Sequence, residues 1–276
     1  MARRGRGLAR LGATVVALCL GIAVLSRFVD RMIFYPTPGV DLTPAELGVP
    51  AEEVFLRTAD GVRIHAFYLP APGETRALLF LHGNAGNASH RLPNAAALAE
   101  LGTHVLLLDY RGYGRSEGSP SEAGVYADAR AGLAHLVDAR GFDERRIVAF
   151  GRSIGGAVAV DLAQGRALAG LVLESTFSSI GDVAASIFGG LPLGALVRGR
   201  FDSAAKIGRV RCPLLFLHGD RDRVIPIELG RRLFEIAPDP KVFEVLAGAG
   251  HNDTVLVGGR PYLERIRRFL DRVAPR

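Results

Sequence analysis

At 276 residues, 49% hydrophobic and with a mean hydropathy of +0.21, the chain is long and apolar enough to bury a core, which excludes a disordered polypeptide. Its two cysteines, Cys19 and Cys212, exclude a disulfide framework, and no Cys/His spacing resembles a metal site. The net charge of +6 raises nucleic-acid binding, but residues 1–31 hold six arginines (Arg3, Arg4, Arg6, Arg10, Arg27, Arg31) against Asp30 alone, and the body carries 28 basic and 27 acidic side chains. Phosphate backbones need a clustered basic surface, so no nucleic-acid partner is expected.

The arginines lead into Leu11–Leu25, fifteen residues without a charge. A helix crossing about 30 Å of hydrocarbon needs roughly 20 residues. Arg10 can snorkel at one end, and Phe28, Val29, Met32, Ile33, Phe34 and Tyr35 extend the apolar stretch at the other. Residues 1–35 therefore read as a basic leader and hydrophobic anchor. With four arginines ahead of the span, the N-terminus is expected in the cytoplasm and the body outside. The rival readings are a signal peptide cleaved near Gly21 and Ala23, giving a secreted protein, and a helix tucked against the domain. Residues 36–50 contain four prolines and read as a linker.

The domain is expected over residues 51–276. Val54–Arg57 and Val62–Leu69 flank Asp60-Gly61, a strong hairpin signal. Short apolar strands then follow at Ala77–Leu81, His104–Leu108, Ile147–Phe150, Leu171–Leu173, Pro213–Leu217 and Val242–Val245. Helical stretches lie between them, at about 91–102, 121–139, 154–166, 227–237 and 259–273. Continuous apolar strands separated by amphipathic helices predict an α/β fold, a mostly parallel eight-stranded sheet covered on both faces with an antiparallel hairpin at its start.

Gly-x-Ser-x-Gly occurs around Ser116 and around Ser153. A nucleophile elbow needs a strand running directly into the motif and a helix leaving it. Ser153 has both, with Arg146–Phe150 before it and Gly156–Ala163 after it, whereas loop separates Ser116 from its strand. A serine hydroxyl needs a histidine to take its proton and a carboxylate to hold that histidine. Of seven histidines only His218 and His251 follow Ser153. His251, in the Gly248–Asp253 loop, is the expected base; His218, at a strand end, is expected to be structural. The acid is expected just past the Pro213–Leu217 strand, where Asp222 is favoured over Asp220, with Glu174 a more distant candidate. Backbone N–H groups of Asn84 and Ile154 are the expected oxyanion donors.

The stretches FLHGNAGNASHR (80–91), LDYRGYGRSEG (108–118), FGRSIGG (150–156), LHGDRDRVIP (217–226) and GAGHND (248–253), in this order, resemble the α/β-hydrolase superfamily. The resemblance covers about residues 51–273. It is strongest to the membrane-anchored, lid-poor branch related to eukaryotic protein depalmitoylases and their yeast and bacterial relatives. It implies Ser153 as nucleophile, Asp222 as acid and His251 as base, and a structural part for Asp109, Arg111, Tyr113 and Ser116. The cysteine-rich N-terminal segment of the animal depalmitoylases has no counterpart here.

Residues 175–205, too few for a large cap, carry Phe177, Ile180, Ile187, Phe188, Leu191, Leu193, Leu196, Val197 and Phe201. They are expected either to cover the sheet or to line an acyl pocket. The expected function is a cofactor-free, metal-free serine hydrolase acting on a small-molecule or lipid acyl ester or thioester at a membrane. The alternatives are a serine peptidase or amidase of the same fold and a non-catalytic, membrane-tethered binding protein.

Overall fold

In the computed structural model, which describes residues 30–189, 197 and 199–276, the hairpin forms as β1 (Glu52–Arg57) and β2 (Arg63–Leu69). Six strands follow: β3 (Ala77–Leu81), β4 (His104–Leu108), β5 (Ile147–Arg152), β6 (Gly170–Glu174), β7 (Leu214–Gly219) and β8 (Lys241–Leu246). The eight-stranded sheet runs β1-β2-β4-β3-β5-β6-β7-β8. β1 and β2 pair antiparallel, β2 pairs antiparallel with β4, and every later pairing is parallel.

The alternation of side chains along these strands divides the core into two layers. Leu79, Leu81, Leu106, Leu108, Ala149, Leu171 and Leu173 face one layer, closed by α2 (Glu122–Ala134), α3 (Ile154–Ala163) and α6 (Ile227–Ile236). Leu78, Phe80, Val105, Leu107, Val148, Phe150 and Val172 face the other, closed by α1 (Leu92–Ala99) and α7 (Thr254–Val273). Both faces being covered, β3, β5, β6 and β7 are buried along their whole lengths, which is why each reads as an apolar run, broken only at the carboxyl ends by Arg152, Glu174 and His218. Two short helices, α4 (Ile180–Phe188) and α5 (Ala204–Ile207), lie between β6 and β7.

Helix α7 departs from expectation. It starts at Thr254 rather than near 259, because Gly259 takes φ 47°, ψ −139° and breaks one helical stretch into two pieces. The glycine and Pro261 hid the first piece from a periodicity reading. Residues 35–41, within and beside the expected linker, are held against the domain. Tyr35–Pro36 pairs with Ala85–Gly86, Gly39 N–H donates to Gly114, and Asp41 N–H donates to Ser89 Oγ.

Chain order reverses at β3, which has β4 on one side and β5 on the other. Ligands of open α/β sheets collect at the carboxyl ends of strands beside such a switch. The carboxyl ends of β3 and β5 carry the loop 82–87 and Ser153.

Candidate active site

Ser153 sits between β5 and α3 with φ 55°, ψ −122°, a backbone conformation that side-chain-bearing residues avoid. Its flanking glycines are required by contact. A Cβ at Gly155 would lie 2.0 Å from the Leu81 carbonyl oxygen, and one at Gly151 would lie 2.3 Å from that of Gly155. The turn is thus pressed against the end of β3, and Gly83 packs on the Ser153 side chain.

The structure brings together the three side chains singled out in sequence. Ser153 Oγ lies 3.1 Å from His251 Nε2, and His251 Nδ1 lies 2.7 Å from Asp222 Oδ2. The other carboxylate oxygen of Asp222 accepts N–H bonds from Val224 (2.9 Å) and Ile225 (2.8 Å). Burial alone would raise the Asp222 pKa, but hydrogen bonds from His218 and His251 outweigh it and hold the carboxyl below the ordinary carboxylate range. An ionised Asp222 keeps His251 Nδ1 protonated, leaving Nε2 to accept the serine proton.

The rival acid is elsewhere. Asp220 is exposed and accepts the Gly248 N–H at 2.7 Å, tying β7 to the loop that precedes His251. Buried His218 points Nε2 at the Ile225 carbonyl (2.9 Å) and lies 3.5 Å from Asp222 Oδ2, so it braces the acid's turn. Ser116 belongs to the loop scaffold, accepting from His65 N–H and donating to the Asp109 carbonyl.

The backbone N–H groups of Asn84 and Ile154 have no hydrogen-bond partner among the described residues. The loop that carries Asn84 is clamped from three directions. Tyr113 Oη donates to the Asn84 carbonyl at 2.6 Å, Tyr35 N–H donates to the same oxygen, and Asn84 Nδ2 donates to the Ile33 carbonyl at 2.7 Å. Tyr113, together with Ile33 and Tyr35 at the end of the expected anchor, therefore sets the position of one expected oxyanion donor. Below this loop His82 is fully buried, and burial lowers its pKa to about 4, so it is a neutral core residue.

Two buried charges were not expected to act together. Arg152, at the end of β5, places Nε 3.1 Å from Glu174 Oε1 and donates from Nη2 to the His251 carbonyl at 2.5 Å and to Asn252 Oδ1 at 3.4 Å. Glu174 also accepts from Thr254 Oγ1 (2.8 Å) and Tyr262 Oη (2.5 Å). Glu174, a distant candidate for the acid, instead anchors the guanidinium that holds the histidine loop. The partners are far apart along the chain, and no sequence spacing signals them.

A cavity of about 450 Å³ opens over Ser153, His251, Asn84 and Ile154. Its apolar wall comes from Phe177, Ile180, Val183, Ala184, Val197 and Ile225, with Met32 and Ile33 closing it from the N-terminal side. Of the residues 175–205, Phe177, Val197 and four residues of α4 (Ile180, Val183, Ala184, Ile187) line this cavity, Phe177 and Phe201 are buried in the core, and Leu191, Leu193, Leu196 and the Phe188 side chain lie outside the described residues. Among the described residues no His/Cys/Asp/Glu group has the arrangement to hold a metal ion.

A family model described as serine aminopeptidase S33 matches residues 73–201. A protein of Mycobacterium tuberculosis is 42% identical over 246 residues, covering 88% of each chain. The α/β-hydrolase domain-containing protein WAV2 of Arabidopsis thaliana is 36% identical (96% of this chain, 93% of that one), and a membrane protein of Saccharomyces cerevisiae is 35% identical (94% and 95%). Among solved structures, the Pyrococcus furiosus esterase Pf2001 superposes with a TM-score of 0.73 at 23% identity, covering 88% of this chain and 98% of that one, a likeness of fold. The strand order, the serine turn and these full-length relatives lead to one conclusion: the chain belongs to the α/β-hydrolase superfamily.

Proposed function

We propose that this protein is a serine hydrolase that cleaves a carboxylic ester or thioester through an acyl-enzyme. The observation that carries the reading is the continuous hydrogen-bonded chain Ser153–His251–Asp222 beneath an apolar cavity. His251 takes the Ser153 proton as Oγ attacks the acyl carbonyl, and the N–H groups of Asn84 and Ile154 receive the oxyanion. His251 then protonates the leaving group, and water, deprotonated by the same histidine, releases the acid. In intact protein, a fluorophosphonate probe is expected to label the wild type and not Ser153→Ala, with the two melting at similar temperatures. Labelling that survives the substitution would refute the assignment.

The peptidase reading is less well supported by the cavity. An aminopeptidase must take up a free ammonium group, whereas the charged lining consists of Arg91 and Arg152, with no carboxylate among the described lining residues. Esters and amides of one acyl group, compared on the purified protein, separate the two.

We place the reaction at a membrane surface. The leader and its expected span, including Arg3, Arg4, Cys19 and Leu11–Leu25, lie outside the described residues, and no described helix is long and apolar enough to cross a bilayer. Two features support the placement. Met32 and Ile33, near the end of the expected anchor, line the cavity, and Met32, Ile187 and Val224 in its lining are each about half exposed. The positive-inside pattern puts the domain outside, so external protease is expected to digest it in intact cells. Protection would overturn that orientation.

A further inference from the structure

The cavity contains one charge that the hydrolytic chemistry does not use. Arg91 ends the turn Ala88–Arg91 that follows the Asn84 loop, and it lines the same cavity as Ser153. Among the described residues its buried Nε has no partner, its one hydrogen bond is a 3.3 Å donation from Nη2 to the Ala85 carbonyl, and no carboxylate lies within 4 Å of it. The nearby carboxylate, Glu174, is already committed to Arg152, Thr254 and Tyr262. A partly desolvated guanidinium with unused donors is costly to hold, and burial together with the charge of Arg152 disfavours it further.

Its place in the cavity indicates which part of a substrate it meets. Arg91 interacts electrostatically with Arg152 and Glu174, the pair that holds the His251 loop. His251 must protonate the leaving group, so the leaving group lies on that side of Ser153. The lining contributed by Phe177 and α4 is apolar and suits the acyl chain.

We propose that Arg91 is the anion-recognising element of a leaving-group subsite, and that the substrate is an acyl ester or thioester whose leaving group carries a phosphate or carboxylate. This rests on the serine-hydrolase reading and narrows its substrate class. A guanidinium offers paired N–H donors in the geometry that both anions accept. In an otherwise nearly neutral body, an uncompensated cation beside the nucleophile selects for charge rather than for shape alone.

The test uses full-length protein and the octanoate esters of glycerol, glyceric acid and glycerol phosphate, which share an acyl group and differ in leaving-group charge. Wild type is expected to favour the anionic esters by on the order of tenfold in kcat/KM, chiefly through KM. Arg91→Gln is expected to abolish the preference, read as the ratio of kcat/KM for the anionic esters to that for the glycerol ester, while Arg91→Lys retains part of it. Preference for both anions supports a general anion subsite, and preference for the phosphate ester alone supports a phosphomonoester. No preference in wild type, or one that survives Arg91→Gln, overturns the proposal and leaves the hydrolase reading standing. Should wild type hydrolyse none of the esters and take no probe, it is the hydrolase reading that fails. The affinities of Ser153→Ala for the glycerol and glycerol phosphate esters then decide the subsite separately: tighter binding of the phosphate ester supports it, and equal affinities overturn it. They decide likewise if Arg91→Gln does not fold.

Discussion

Replacing Arg152 by methionine keeps much of its aliphatic stem and removes its charge from a place where water cannot substitute for it. The side chain is 4% exposed and its partner Glu174 is 1% exposed. Breaking a buried ion pair from one side costs about 3–5 kcal/mol, because the remaining charge is left desolvated. Hydroxyl bonds from Thr254 and Tyr262 still reach Glu174, so the lower end of that range, about 3 kcal/mol, is expected. For a domain of this size that lowers Tm by about 6–12 °C. Glu174→Gln in the Arg152→Met background removes the stranded carboxylate and should recover about 2 kcal/mol relative to the sum of the single variants. Catalysis suffers separately, since Arg152→Met removes the 2.5 Å bond to the His251 carbonyl that sets the height of the loop. Displacement of a reacting group by about 1 Å costs roughly a hundredfold, so kcat should fall by about 10–100-fold with KM little changed. Thermal melts of the four proteins and ester kinetics on each measure both effects. A single variant that melts with the wild type, or a double variant no more stable than the additive sum, refutes the account.

Asp222→Asn should lower kcat by about four orders of magnitude by releasing the histidine tautomer. Asp220→Ala, which frees only the Gly248 N–H, should cost about 1 kcal/mol of stability and leave turnover near wild type; equal losses of activity would reverse the assignment of the acid. Because the Asp222 pKa is lower in the folded state, its stabilisation is present above the ordinary carboxylate range and is lost as pH falls through the folded value. The stability gap between wild type and Asp222→Asn should accordingly shrink in acid, and a gap that widens there contradicts it. Ser153→Gly should be more stable than Ser153→Ala by about 1 kcal/mol, since glycine relieves the positive φ; chemical denaturation decides this. Gly155→Ala should cost about 4 kcal/mol or more, because its Cβ meets the backbone of Leu81 and His82. Gly208→Ala, with open space and a helical backbone, should be neutral or slightly stabilising in the same assay.

Several elements were legible because local chemistry and tertiary context agree. β3 and β4 match their expected limits at both ends, as buried strands bounded by breaks in hydrophobicity. The hairpin formed around Asp60-Gly61, where Gly61 takes φ 85°. The start of α7 was missed because Gly259 and Pro261 interrupt its period, and residues 36–41 read as a linker because their partners, mostly backbone atoms of the 84–89 and Gly114 loops, are distant in the chain.

The sequence by itself determined the order of strands and helices, the leader's charge asymmetry and the strained serine turn, since each follows from neighbouring residues obeying a period or a steric rule. It also singled out Ser153, His251 and Asp222, because their loops follow strand ends in chain order. Only the tertiary structure decided that Asp222 rather than Asp220 meets His251, that Glu174 holds Arg152 and not the histidine, and that Arg91 shares the cavity of Ser153 with no carboxylate partner among the described residues. Those facts depend on which way side chains point from strand ends that are adjacent in the sheet and distant in the chain. A one-dimensional pattern does not carry that direction; the sheet's register does.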